Sequence, residues 1–328
     1  IQNANPQEVI LIAGKGHESH QDYGNKLIKI SGKHIVKKIK LRKKNFFQKK
    51  YNFLYNSNIL NQIITKKKIY RFKGISIGSK ETKKDNLFIA IKGKNKDGHK
   101  YAQEALRNGA SYCVGEKIIK NINKNKLIKC KNTKIFLNKL AVNKRKKSRA
   151  KIIAVTGSSG KTTLKTLLGK LLSNYGKTYF SPRSFNNHFG VPFSLSNTES
   201  YHDFGIFEVG MSKGGEIKKL SHMIKPHVGV ITNIAEAHIE NFKSLKEIAK
   251  EKAEIINSIN KNGTLILNRD DKFYEYINRL AKLKKIKTIS FGFSKNSDVY
   301  PIYSINKKKK KVLKIKVIDE TISLKIGN

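Results

Sequence analysis

Hydrophobic and polar positions change rhythm several times along this chain, and each change predicts a different element. Residues 8–13 (Glu-Val-Ile-Leu-Ile-Ala) read as a buried strand, followed by a glycine-rich turn, Gly14-Lys15-Gly16-His17-Glu18. From Lys37 to Lys50 there is little periodicity and lysines stand side by side, the pattern of a solvated linker. From about Tyr51 to Ser148 the pattern becomes short strands and one helix. Residues 87–91 form a strand candidate, residues 99–108 read as a helix stopped by Gly109, and residues 110–114 return to extended structure. A second basic run, residues 143–149, closes this section.

The third section is the clearest. Ile152-Ile153-Ala154-Val155-Thr156 is apolar and rich in β-branched residues, and a glycine-rich turn follows it. Leucines at 164, 167, 168, 171 and 172 then repeat at i, i+3, i+4, i+7 and i+8, the stripe of a helix packed on a sheet. Strand candidates at 204–209, 228–232 and 264–267 alternate with helical stretches at 213–223 and 244–259. That alternation predicts an α/β fold with a mostly parallel, doubly wound sheet. After Asp298 the pattern is β-rich, and no internal repeat is visible.

The 328 residues suffice for two domains with real cores, and 38% hydrophobic content argues against a wholly disordered chain. No apolar run approaches the roughly 18 residues that a membrane span needs. Two cysteines, Cys113 and Cys130, make no disulfide framework and suit a reducing compartment. The formal charge is +46, yet 61 of the 69 basic residues are Lys and only 8 are Arg. Nucleic-acid readers lean on Arg. Abundant Lys, Asn and Ile without Trp reflect A/T-rich codons, so the charge alone identifies no ligand and no specific nucleic-acid partner is expected.

Gly157-Ser158-Ser159-Gly160-Lys161-Thr162-Thr163 lies between a predicted strand and a predicted helix. Glycines let backbone N–H groups turn inward around a phosphate, and the helix N-terminus adds its positive end. Lys161 can reach β- and γ-phosphates, and the Thr162 hydroxyl can ligate Mg²⁺. This is a P-loop of the short G-x-x-G-K-T form, since Val155 stands where the longer form has Gly. A Mg·ATP site needs further ligands at the carboxyl ends of neighbouring strands. Glu208 and His238 follow two such strands and are the candidates. The histidines show no zinc-ligand spacing, and no Ser-His-Asp or Cys-His set suggests covalent catalysis.

Residues 156–163, Ser184-Phe185-Asn186-Asn187-His188-Phe189-Gly190-Val191-Pro192, Glu208-Val209-Gly210-Met211 and Asn233-Ile234-Ala235-Glu236-Ala237-His238 resemble, in order and spacing, the central domain of the Mur ligases. Those are cytoplasmic enzymes that build the peptidoglycan stem peptide. The versions here look most like the member that adds D-alanyl-D-alanine to UDP-N-acetylmuramoyl tripeptide. Residues 51–148, notably 87–93 followed by Asp97-Gly98-His99, resemble that enzyme's small α/β UDP-binding domain. The resemblance implies an ATP-dependent ligase, monomeric and cytoplasmic, with ATP and Mg²⁺ as cofactors. Gly157 to Thr163 would hold the phosphates, with Lys161 on their β/γ end. Thr162, Glu208 and His238 would hold metal, and Asn187 and Asn233 would shape the site. Asn268 and Asp270 would lie on the adenosine side. Lys252 matches a lysine that several relatives carbamylate.

On the uridine side the family's S-x-D-[ST]-R pattern reads Ser76-Ile77-Gly78-Ser79-Lys80, which leaves Ser76 and Lys80 as substrate candidates. Residues 11–18 resemble the tail of the preceding ligase of the same pathway, where Gly14 and Glu18 would correspond to residues that contact meso-diaminopimelate. The expected organisation is therefore a ligase tail and linker over 1–48, a UDP-binding domain over 49–148 and an ATP-binding domain over 149–328. The family's third domain has no counterpart here, so the chain is expected to be a fragment or part of a fusion, and not to complete an amide bond alone. The alternatives are a folylpolyglutamate synthetase-like ligase and a basic, nucleic-acid-binding P-loop ATPase.

Overall fold

The computed structural model describes residues 21–22, 27–28, 53–64, 68, 70–93, 95–236, 241–242, 244–305 and 311–325. The strand expected at 8–13, Gly14, Glu18, the basic linker and His238 lie outside the described residues. Contacts divide the chain into two units, one of residues 47–150 and 188–203, the other of residues 1–46, 151–187 and 204–328. Within residues 1–46, β1 (Gln21–Asp22) pairs antiparallel with β2 (Leu27–Ile28).

The smaller unit starts with α1 (Phe53–Asn61), then β3 (Gly74–Ser76), β4 (Asn86–Ile89), α2 (Ala102–Arg107), β5 (Tyr112–Gly115), β6 (Leu127–Lys129) and α3 (Thr133–Lys147). Its four strands form a parallel sheet in sequence order. Side chains alternate across the pleat. Leu87 and Ile89 pack with Leu60, Phe72, Phe136 and Leu140 on one face, while Phe88 meets Ala102, Ala105 and Cys113 on the other. Gly109 ends α2 region with a φ of +104°, a conformation that favours glycine.

Two differences from the sequence reading appear in this unit. It has α1 and α3 in addition to the one helix expected. The basic run at 143–149 is helical as far as Lys147, and Lys144 within it is fully buried. Phe136, Leu137, Leu140, Ala141 and Lys144 occupy one helical stripe, so an ammonium sits where the spacing calls for an apolar residue.

In the larger unit β7 (Lys151–Thr156) leads into α4 (Lys161–Leu172) and β8 (Thr178–Phe180). The chain then contributes α5 (Gly190–Ser196) to the smaller unit and returns as β9 (Phe204–Glu208). There follow α6 (Glu216–Ile224), β10 (Val228–Ile231), α7 (Leu245–Ala253), β11 (Thr264–Asn268), α8 (Tyr274–Leu283) and β12 (Lys287–Phe291). β13 (Val299–Ile305), β14 (Lys311–Val317) and β15 (Glu320–Lys325) finish the described chain. The sheet order is β15-β14-β13-β12-β11-β10-β7-β9-β8, parallel from β8 to β13 and antiparallel beyond. The expected α/β, mostly parallel architecture is present.

The stripe on α4 explains the central packing. Leu164, Leu168 and Leu172 bury against Ile153, Val155, Ile206 and Val230. β7 and β9 are neighbours whose outgoing connections run to opposite sides, β7 to β8 and β9 to β10, so their carboxyl ends form a topological switch point.

The expected ATP-binding domain over 149–328 differs from the structure in one segment: residues 188–203 group with 47–150. The cause is local packing. Val191 and Leu195 of α5 are buried, Asn197 Oδ1 accepts from the Ile75 N–H of β3 at 2.8 Å, and Glu199 pairs with Lys144 of α3 at 2.9 Å.

Candidate functional site

At the end of β7 the chain turns on Gly157, whose φ is +145° and where a Cβ would lie 1.9 Å from Thr232 Oγ1. Only glycine fits there. Gly160, with φ +76°, precedes α4. The first-turn N–H groups of α4 lack intrahelical acceptors, and a helix start of this kind attracts anions.

The end of β10 braces this turn. The Ser158 N–H donates to the Asn233 carbonyl at 2.9 Å, and the Ser159 N–H donates to Asn233 Oδ1 at 2.9 Å. Asn233 Nδ2 returns a bond to Ser159 Oγ at 2.6 Å, and Thr232 Oγ1 donates to the Ser159 carbonyl at 2.6 Å. Ser158 Oγ exchanges bonds with the backbone of Ala235, each at 2.8 Å. Lys161 folds back over the turn and donates to the carbonyls of Gly157 at 2.7 Å and Ser158 at 3.0 Å. Burial pushes its ammonium pKa down, and the Glu208 charge opposes that shift.

Glu208, the last residue of β9, is buried with both oxygens engaged. Oε1 accepts from Asn186 Nδ2 at 2.8 Å, and Oε2 accepts from Thr162 Oγ1 at 2.8 Å. The ammonium of Lys165 lies 3.5 Å from Oε2 and also donates to the Arg183 carbonyl. The Thr162 hydroxyl further meets Ser184 Oγ at 3.3 Å. Thr163 follows half-buried in the first turn of α4.

Sequence reasoning missed Lys165 and Asn186. Lys165 lies among the leucines of α4, and in a lysine-rich chain its residue type alone gave no signal. Asn186 adjoins Asn187, the residue singled out, which is exposed.

Lys252, on α7, is buried, and its amine is pushed down to about 7, first by burial and then by the positive charge of Lys161. Asn268 ends β11, and its Oδ1 accepts from the Asp270 N–H at 3.0 Å. Asp270 Oδ2 accepts from the Phe293 N–H at 2.7 Å. Asp271, not anticipated, accepts from the Ile234 N–H at 2.6 Å and so ties this edge to the loop after β10.

In the smaller unit the Ser76 hydroxyl is buried and bonded to Thr82 Oγ1 at 2.9 Å, while Lys80 is exposed. His99 Nε2 accepts from the Glu116 N–H at 2.9 Å, which puts the ring proton on Nδ1, facing Asp97 Oδ1 at 2.6 Å. These bonds hold the Asp97 carboxyl down to about 2. A cleft of about 950 Å³ in this unit, lined by Arg71, Lys84, Arg107 and Lys126 among others, contains none of the motif residues.

Thr162 and Glu208 offer two hard oxygen donors in contact. Among the described residues no cluster of three His, Cys, Asp or Glu side chains converges as a protein-only metal cage. Two protein oxygens, completed by water and phosphate, suit Mg²⁺, which dehydrates reluctantly and prefers such mixed shells.

Comparison with known proteins agrees with this geometry. The family described as "Mur ligase family, catalytic domain" matches residues 71–154, and "Mur ligase middle domain" matches residues 155–327. A UDP-N-acetylmuramoyl-tripeptide–D-alanyl-D-alanine ligase from Rickettsia prowazekii is 40% identical over 221 residues, covering 67% of this chain and 49% of that protein. The chain thus spans about half the length of the curated relatives it matches. A crystal structure of MurF from Acinetobacter baumannii aligns with a TM-score of 0.69 and 27% identity over 82% of this chain and 60% of that one. The MurF ligase from Thermotoga maritima, in complex with ADP, aligns with a TM-score of 0.62 and 29% identity over 77% and 58%. With the middle-domain family alone matching more than half of its residues, the chain belongs to the Mur ligase family.

Proposed function

We propose that this chain carries the ATP site and the UDP-substrate unit of an ATP-dependent ligase that joins D-alanyl-D-alanine to UDP-N-acetylmuramoyl tripeptide in peptidoglycan synthesis. The contact of Thr162 with Glu208 beside the glycine turn carries this reading. Residues 157–163 cradle the phosphates of ATP, and Lys161 neutralises their β/γ end. Thr162 and Glu208 would hold one Mg²⁺ and His238 a second, and the metal would supply positive charge to the phosphoryl group. Asn233 keeps the turn in shape, Asn187 helps to shape the nucleotide and substrate site, and Asn268 with Asp270 forms the adenosine side.

In the reaction a substrate carboxylate oxygen attacks the γ-phosphorus, the bond to ADP breaks, and an acyl phosphate forms. The amine nitrogen of D-alanyl-D-alanine then attacks the acyl carbon. Phosphate leaves with the C–O electron pair, and the nitrogen gives up its proton. Carboxylate, phosphates and acyl phosphate are all anionic, so a preorganised basic site lowers the barrier. Lys252, with an amine poised near 7, is neutral often enough to add to CO₂, forming an N–C bond and releasing a proton to leave a carbamate. Lys80, exposed beyond β3, serves the uridine diphosphate, and buried Ser76 supports that loop from within.

Calorimetry tests the proposal. The chain should bind ATP in the presence of Mg²⁺, and Glu208→Gln should raise the Mg²⁺ concentration required by tenfold or more. Equal Mg²⁺ dependence in a folded variant would count against the site. UDP-N-acetylmuramoyl tripeptide should bind separately, and a Lys80→Ala variant should weaken it; no binding by the parent chain would reject the substrate assignment.

A further inference from the structure

One cation in the nucleotide site lies outside the glycine turn. Lys165 stands four residues beyond Lys161 on α4, is 1% exposed, and spans from Glu208 to the Arg183 carbonyl. A buried ammonium persists only where hydrogen bonds and an opposite charge compensate it, and Lys165 has both. Glu208 is equally constrained, with Asn186 on one oxygen and Thr162 and Lys165 on the other.

These contacts decide what a bare divalent cation would meet. Among the described residues it would meet the Glu208 carboxylate and the Thr162 hydroxyl, with Ser184 Oγ beyond, and the Lys165 ammonium fixed against that carboxylate. Lys161 lies over the adjoining turn, and Lys252 is close enough to Lys161 to feel its charge. Phosphates entering the turn reverse that balance by adding negative charge beside Glu208.

We infer that Lys165 is a positioning residue that fixes the Glu208 carboxylate and makes metal entry conditional on the nucleotide, so that the cation arrives with phosphate and not alone. The inference rests on the proposed assignment of Glu208 as a metal ligand. Such coupling is reciprocal: a nucleotide that favours metal is itself favoured by metal. Removing the Lys165 charge should therefore strengthen binding of the free metal, the opposite of what loss of a merely structural residue would do.

The test measures Mn²⁺ binding to the full chain by electron paramagnetic resonance, first without nucleotide. The parent should bind free Mn²⁺ weakly. Lys165→Met, which keeps the apolar stem and removes the charge, should bind it at least tenfold more tightly, and Lys165→Arg should behave as the parent. Unchanged or weaker Mn²⁺ affinity in folded Lys165→Met would overturn the inference. So would tight nucleotide-free binding by the parent that Glu208→Gln abolishes, a measurement that stands even if Lys165→Met fails to fold. The double variant Lys165→Met/Glu208→Gln separates the two readings. If tightened binding survives in it, the assignment of Glu208 as ligand is what fails.

Discussion

Thr162 donates its hydroxyl hydrogen to Glu208 across 2.8 Å, joining the first turn of α4 to the last residue of β9. The separation of 46 positions is bridged because β7 and β9 are adjacent parallel strands whose carboxyl ends face the same way. A helix that starts directly after β7 must begin beside the end of β9. The site is thus a product of strand order, with side chains added at the two chain ends that the order brings together.

Lys161→Ala should lower ATP affinity at least a hundredfold and leave the fold intact. Among the described residues the ammonium bonds two carbonyls of a partly exposed turn, so its loss should change stability by about 1 kcal/mol. Calorimetric titration with ATP, beside urea denaturation, checks both halves. Parental affinity in a folded variant would remove Lys161 from the phosphate site.

Lys144 and Glu199 should behave as a coupled pair, bonded on both sides by the buried Asn56 amide. Lys144→Ala leaves a carboxylate buried without its ammonium, and a loss of about 3–5 kcal/mol is expected. Replacing both with Met should recover part of that loss, because the apolar pair needs no counter-charge and only the buried Asn56 amide loses partners. If the double variant in urea is as unstable as the sum of the single ones, the pair is not what holds the segment.

The Lys252 amine should make stability rise with pH. Its folded pKa of about 7 lies below that of an unfolded lysine, so between about 7 and the normal lysine value the unfolded chain binds more protons. Stability attributable to this residue therefore increases as pH rises through that window, and the full penalty is present below it. Lys252→Met should flatten the slope relative to the parent. Lys161→Ala, which removes the neighbouring positive charge, should shift the Lys252 titration upward in an NMR titration of labelled lysine. A parallel slope in Lys252→Met would refute the buried, lowered amine.

DNA binding, if any, should follow simple counterion release. Affinity for unrelated duplexes should be equal and should fall steeply between low and physiological salt. Fluorescence anisotropy across a salt series decides it, and tight binding of one sequence at physiological salt would contradict a charge set by composition.

The larger unit was legible because its signals are local and redundant. A β-branched run, a glycine turn and a leucine stripe each point to the same strand-turn-helix, and Glu208 falls at a strand end that periodicity alone locates. The smaller unit was less legible for a reason visible in α3. Lys144 interrupts the apolar stripe of Phe136, Leu137, Leu140 and Ala141, and its partner Glu199 comes 55 positions later, so no local window shows why a lysine belongs inside. Lys165 was hidden in the same way. In a chain with 61 lysines one more on a helix carries no warning, and only the packing shows that this one is buried against a carboxylate. Asn186 and Asn187 illustrate the finer limit: adjacent identical residues cannot be told apart until the backbone aims one of them at Glu208.

The contribution of residues 188–203 to the smaller unit has a consequence for synthesis on the ribosome. Chains emerge amino end first, and domains generally fold as they appear. When Ala150 has emerged, the sheet of the smaller unit is complete, yet Lys144 still lacks Glu199 and α3 lacks α5. The unit must wait, with an ammonium awaiting burial, while β7, α4 and β8 pass through the exit tunnel. A nascent chain arrested before residue 199 should therefore remain protease-sensitive across residues 133–147, and one arrested well beyond 203 should not. Maturation of the smaller unit is gated by its own late segment, 188–203, which ties the order of assembly to the direction of translation.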